Sequence, residues 1–132
     1  MDRPGNPWQG LPVDHTAADD LLSLTSEVTD RAVVVHAVGE VDHLTAPRLA
    51  VELGKAGQEA SATRPLVLDM TSVSFMTSAG LAVLVEHHQD QASHHELRIV
   101  VGDSPVAQSL RRTGLLMFLS TYGTLAAALA DE

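Results

Sequence analysis

Chemistry in this chain concentrates at Val73-Ser74-Phe75-Met76-Thr77-Ser78-Ala79-Gly80-Leu81. An apolar, strand-like run stops at two hydroxyl residues, and a helical apolar pattern begins at once. Ser78 therefore falls in the first turn of a helix. Such a terminus has unpaired N–H groups and carries about +0.5 of an elementary charge, so it suits an anion such as phosphate. This setting fits a serine that is modified better than one that performs catalysis. A nucleophile elbow needs G-x-S-x-G, and position 76 is Met rather than Gly. The plain alternative for Ser78 or Thr77 is a helix cap.

The seven histidines raise a metal hypothesis. His87-His88 and His94-His95 flank an expected helix end, six to eight residues apart across the gap. That is roughly 9–12 Å along a helix, too far for one ion unless the helix ends between them. No metal site is expected, and the bland reading is a solvated face with His88 partly covering the core. Asp42 leaves a strand just before a helix start; a turn aspartate is the simpler reading, and a place beside Ser78 the sharper one. Asp69 ends a buried strand and suits a structural acceptor. No phosphate loop and no dinucleotide fingerprint is present, so no cofactor is expected.

The elements that position these residues follow from pattern. Residues 1–19 carry three prolines and two glycines and read as a flexible tail, with Trp8 and Leu11 as contacts to the body. Residues 20–132 then form one domain. Leu22 to Ser26 alternates as a half-buried strand, Thr29-Asp30 turns, and valine-rich Arg31 to Val38 pairs back antiparallel. Thr45 caps a helix with Pro47 in its first turn, whose buried stripe is Ala46, Leu49, Ala50, Leu53 and Ala60. Leu66 to Met70 is a strand covered on both faces. After Ser78, Leu81, Leu84, Val85, His88 and Ala92 share a helical face. Leu97 to Val101 is a strand, and Ser104-Pro105 opens a helix that Gly114 ends. Met117 to Tyr122 is extended, and Thr124 caps a last helix through Leu129. The alternation specifies an α/β fold with partly parallel pairing.

Composition bounds the function. The 132 residues carry eight Lys+Arg against seventeen Asp+Glu, a net charge of −9, with Arg111-Arg112 the only adjacent basic pair. Nucleic-acid binding requires clustered cations, so it is not expected. With no cysteine, disulfides and thiolate sites are excluded. No apolar run approaches a membrane span, and residues 1–7 do not read as a signal peptide, so a cytoplasmic protein is expected. Aromatic content is 3%, so the core rests on Val, Leu, Ala and Met.

The order of these pieces resembles the STAS family, and within it the bacterial anti-sigma factor antagonists. The resemblance rests on Gly39-Glu40-Val41-Asp42-His43-Leu44-Thr45-Ala46-Pro47-Arg48-Leu49, on Leu66 to Met70, and above all on Val73 to Leu81. Thr113-Gly114-Leu115 and Tyr122-Gly123-Thr124-Leu125 add to it. The resemblance implies a mixed sheet of about five strands with about four helices. It implies a non-enzymatic protein that binds an anti-sigma factor with serine kinase activity and so frees a sigma factor. It places phosphorylation on Ser78, with Thr77 as a second acceptor and a phosphoserine phosphatase as a further partner. The partner surface it implies comprises Asp42, His43, Thr45, Thr77, Ser78, Ala79, Gly80 and Leu81. The family's usual aspartate before the serine is Thr77 here, and its second hydroxyl residue is Ala79. A monomer or weak homodimer is expected. The alternative is a STAS domain serving as an interaction subunit in lipid transport or stress signalling.

Overall fold

A computed structural model describes residues 21–131. The expected tail, with Trp8 and Leu11, lies outside the described residues. Five strands, β1 (Leu22–Val28), β2 (Val33–Val41), β3 (Leu66–Met76), β4 (Leu97–Val100) and β5 (Ser120–Tyr122), form one sheet in the order β1-β2-β3-β4-β5. β1 and β2 are antiparallel, and every later pair is parallel. The helices are α1 (Ala46–Gly57), α2 (Ser78–Gln91), α3 (Pro105–Thr113) and α4 (Leu125–Ala130), with a 3-10 turn at Leu115–Met117.

The hairpin forms because Thr29 closes its turn. The Thr29 hydroxyl accepts from the N–H groups of Arg31 and Ala32, and the Thr29 N–H donates to the Ala32 carbonyl at 2.9 Å. Each parallel crossover then carries a helix back over the sheet, as parallel pairing requires. α1, α2 and α3 cover one face, where Leu22, Val35, Leu49, Leu53, Leu68, Leu84, Ile99 and Leu110 are all fully buried. Burying each such side chain contributes about 1.5–3 kcal/mol. α4 covers part of the other face, over Ala32, Val34, Val67 and Val100. The rest of that second face is open, so Val38 and Phe75 are exposed there.

Several expectations need correcting. β3 runs six residues beyond Met70, because register shifts in its pairing with β2 let the ladder continue through Met76. β2 starts at Val33 and reaches Val41, since Arg31 and Ala32 belong to the turn. Ala50 is exposed, and α1 instead buries Ala56 and Gly57; Ala60 is buried but lies past the helix end. Ala92 is exposed and caps α2 from outside. The Met117 to Tyr122 segment is part 3-10 turn, with only Ser120–Tyr122 in the sheet. The Thr124 cap is present, its side chain accepting from the Ala127 N–H at 3.1 Å.

Candidate functional site

Parallel pairing brings the C-terminal ends of β2 and β3 to one edge of the sheet. Val41 and Met76 are register partners, and the Thr77 N–H donates to the Val41 carbonyl at 2.9 Å. The chain leaves β2 into the 42–45 loop and leaves β3 into α2, so the loop and Ser78 are neighbours. α2 can sit this close because residue 80 is glycine. A Cβ there would lie 2.7 Å from Val41 Cγ1 and 2.8 Å from Met76 Cε, inside normal contact distance.

The loop is held by its own polar groups. Asp42 Oδ1 accepts from the Leu44 N–H at 2.9 Å and the Thr45 N–H at 3.1 Å. These bonds, the Thr45 N–H first, hold the Asp42 carboxyl below the usual aspartate range, and the nearby His43 adds to this. Thr45 Oγ1 donates to the Glu40 carbonyl at 2.8 Å and accepts from the Asp42 N–H at 2.9 Å. Asp42 is thus a turn aspartate that also lines the Ser78 end. Thr45 was expected to cap α1 through its side chain. Its hydroxyl is instead committed to the loop, and no side-chain cap forms.

Ser78 is exposed at the first position of α2. Thr77 occupies the N-cap in extended conformation, but its hydroxyl caps nothing. Thr77 Oγ1 is buried without a hydrogen-bond partner. That corrects one expectation, since Thr77 is not a side-chain cap. Thr45 is 0% exposed, and Gly80 and Leu81 are also buried. These three lie beneath the surface at this end of the sheet. His43, Ser78 and the half-buried Asp42, Thr77 and Ala79 make up its accessible part.

Sequence reasoning missed two residues at this end. Leu44 is 57% exposed and Phe75 is 50% exposed. Leu44 stands at the turn tip because the bonds to Asp42 Oδ1 fix the loop around it. Phe75 pairs with Glu40 just after a register shift. The signal available for Leu44 was an apolar residue inside a polar turn sequence.

Ser104 holds the N-cap position of α3 as expected, but without a side-chain cap. Its hydroxyl donates instead to the Val101 carbonyl at 2.6 Å. Asp69 is a structural acceptor, as expected. Asp69 Oδ1 accepts from the Thr71 N–H and hydroxyl, and Oδ2 meets His36 Nδ1 at 3.0 Å. Burial alone would raise this carboxyl, but the bonds from Thr71 and His36 together hold it below the usual range.

Comparison with known proteins finds relatives over most of the chain. The anti-sigma-F factor antagonist RsfA of Mycobacterium tuberculosis is 28% identical over 117 residues, covering 87% of this chain and 91% of that protein. The crystal structure of an anti-sigma factor antagonist from Mycobacterium paratuberculosis superposes with a TM-score of 0.75 at 27% identity, covering 85% of this chain and 97% of the other. The anti-sigma factor antagonist SpoIIAA in its unphosphorylated form shares the fold, with a TM-score of 0.58 at 15% identity over 80% of this chain and 93% of the other. No helix among the described residues is long and apolar enough to cross a membrane. The STAS domain pattern matches residues 23–128, and the chain belongs to the STAS domain family.

Proposed function

We propose that this domain is a cytoplasmic anti-sigma factor antagonist, a binding protein without catalysis of its own. It docks an anti-sigma factor that is also a serine kinase, and phosphate on Ser78 turns the interaction off. The observation that carries the proposal is the exposed Ser78 at the start of α2, beside a rigid loop presenting His43 and Leu44. Relatives at 27–28% identity over most of the chain bear the same functional name.

The physics of the switch is local. Phosphate adds about −1.5 to −2 charges. The α2 N-terminus tolerates that charge, so the domain stays folded. The interface does not tolerate it, because a hydrated dianion cannot be buried without its own cations. A penalty of about 3 kcal/mol weakens affinity more than about a hundredfold. A phosphoserine phosphatase would restore binding.

The test compares wild type with Ser78→Asp in a quantitative pull-down from lysate of the source organism, alongside thermal unfolding. The expected result is an anti-sigma kinase recovered by wild type alone, with melting temperatures nearly equal. Equal recovery by both proteins removes Ser78 as the switch. Recovery of transport or stress-complex components in place of an anti-sigma factor overturns the functional assignment.

A further inference from the structure

The paired histidines have no part in the Ser78 site, yet three of them come together. α2 ends at Gln91, so the chain folds back and sets His95 against His87. His87 Nε2 lies 2.9 Å from His95 Nε2, and His95 Nδ1 lies 2.8 Å from His94 Nδ1. The ring centroids are 5.1 and 5.0 Å apart, close to the maximum such nitrogen contacts permit, so the rings meet head-on. Their nitrogens point at one another and do not converge on a common point, the arrangement of a hydrogen-bonded chain and not of a chelate. No group of three or more His, Cys, Asp or Glu among the described residues is set to hold a metal ion.

The chain is seated on α1. A Cβ on Gly57 would come within 3.1 Å of His95 Cε1 and 3.4 Å of His87 Cε1, so the glycine admits both rings. His95 is only 3% exposed, while His87 and His94 border an open cleft of about 450 Å³ between α1 and α2. The groups facing the rings are few. α2 supplies Asp90 and His88 next to His87. The segment leading into β4 supplies Glu96, already paired with Arg98 Nε at 3.0 Å. α1 and the turn that follows it contribute Gly54, Gly57 and Gln58 to the cleft, while Lys55 on α1 and Glu59 just past its end are exposed nearby.

We propose that His87, His95 and His94 form an acid-sensitive clasp that holds the C-terminal half of α2 and the following loop on α1, and that opens on taking up a second proton. Proton counting sets the threshold. Each N···N contact holds one proton, donated from one side only. Two contact protons plus one on each outer nitrogen, His87 Nδ1 and His94 Nε2, make a chain with a single positive charge. A further proton would place two donors face to face at under 3 Å and break a contact. Burial, only partly offset by the nearby Asp90, lowers the His87 imidazole below its ordinary value. Burial, then the charges of His87 and His94, pushes His95 down to about 4.

Three free imidazoles with a pKa of about 6.5 take up three protons by about pH 5.5, where the closed clasp has room for one. The opening equilibrium therefore rises about 100-fold per pH unit below about pH 6. His94→Gln removes one contact at an exposed residue and leaves a pair that has room for one charge. Its opening rises only about tenfold per pH unit. His87→Gln gives the same slope by removing the other contact.

The experiment is urea unfolding from pH 7.5 to 5.0 on the three proteins, with the imidazole Cε1–H resonances of wild type followed by NMR. The expected result is a wild-type loss of stability steeper than either variant's by about tenfold per pH unit, with His95 not titrating while the fold persists. The remaining histidines are common to all three proteins and cancel in the comparison. Equal slopes in wild type and both variants overturn the proposal. So does a His95 resonance that titrates near 6.5 in the folded protein, a result that needs no variant to fold.

Discussion

Gly80→Ala probes the contact that seats α2 beside the 42–45 loop. In an ordinary helix this substitution stabilises by up to about 1 kcal/mol, since alanine is the better helix former. Here the added methyl would sit 2.7 Å from Val41 Cγ1 and 2.8 Å from Met76 Cε. Met76 can swing its flexible end away. Val41 cannot, because it is β-branched and fully buried at the end of a central strand. Overpacking of this kind costs about 1–3 kcal/mol. The clash outweighs the propensity gain, and a net loss of about 1–2 kcal/mol is expected, or about 4–8 °C in Tm. Urea unfolding measures it as a lower midpoint with unchanged slope. A double-mutant cycle with Val41→Ala locates the cause: removing Cγ1 should recover about 1 kcal/mol relative to additivity. A Gly80→Ala protein as stable as wild type, or strict additivity in the cycle, would refute the close-packing argument. The relaxation route also matters, because pushing the first turn of α2 off Val41 moves Ser78 relative to His43. Partner binding should therefore fall by more than stability does.

Thr77→Val removes a buried hydroxyl that has no partner while keeping the side chain's shape. A hydroxyl that capped α2 would cost about 1 kcal/mol to lose, whereas here the variant should gain about 1 kcal/mol; a loss in urea unfolding would mean the hydroxyl is bonded after all. Asp69 has its carboxyl depressed in the folded state, so its contribution is present above about pH 4 and lost as pH falls through the lower folded value. Asp69→Asn should therefore lose less stability than wild type between pH 5 and pH 2.5, and equal acid sensitivity would sink that reading.

The fold was legible because hydrophobic pattern and turn chemistry agreed. The valine run of β2, the Pro47 and Pro105 helix starts, and the Thr29 and Thr124 turns each name their element from local residue types alone. What misled was wherever a hydroxyl had a choice of partner. Thr45, Thr77 and Ser104 all stand at helix starts, and at none does the side chain cap the helix. Thr45 serves the Glu40 carbonyl, Ser104 serves Val101, and the Thr77 hydroxyl is buried without a partner. Those outcomes depend on which loop packs above the helix start, which local pattern does not encode. Ala50 and Ala92 failed for a related reason: a methyl fits either a core or a surface, so alanine spacing alone does not define a face. The histidine chain was hidden because linear spacing separates His87 from His95, and only the helix end at Gln91 folds them together.

Ser78 and His87 lie on the same helix, roughly 13.5 Å apart along its axis at 1.5 Å per residue. Their independence follows from how α2 is attached. Its buried residues, Gly80, Leu81 and Leu84, all lie in its first half. Beyond Leu84 no α2 side chain is fully buried, and its specific attachments there include the His87–His95 contact and the edge-on packing of His88 against Phe118 at 4.9 Å. Opening the clasp therefore frees the second half of the helix, while the Thr77–Val41 hydrogen bond and the Gly80 seat keep Ser78 in place. Low-stability opening confined to one cooperative unit is how local unfolding proceeds in folded domains. Amide exchange should thus quicken from about residue 86 to 95 as pH falls, after correction for intrinsic rates, while the Thr77 amide stays protected. Simultaneous loss of protection at Thr77 would show instead that the helix moves as one rigid body, and that acid at the histidines reaches the Ser78 surface.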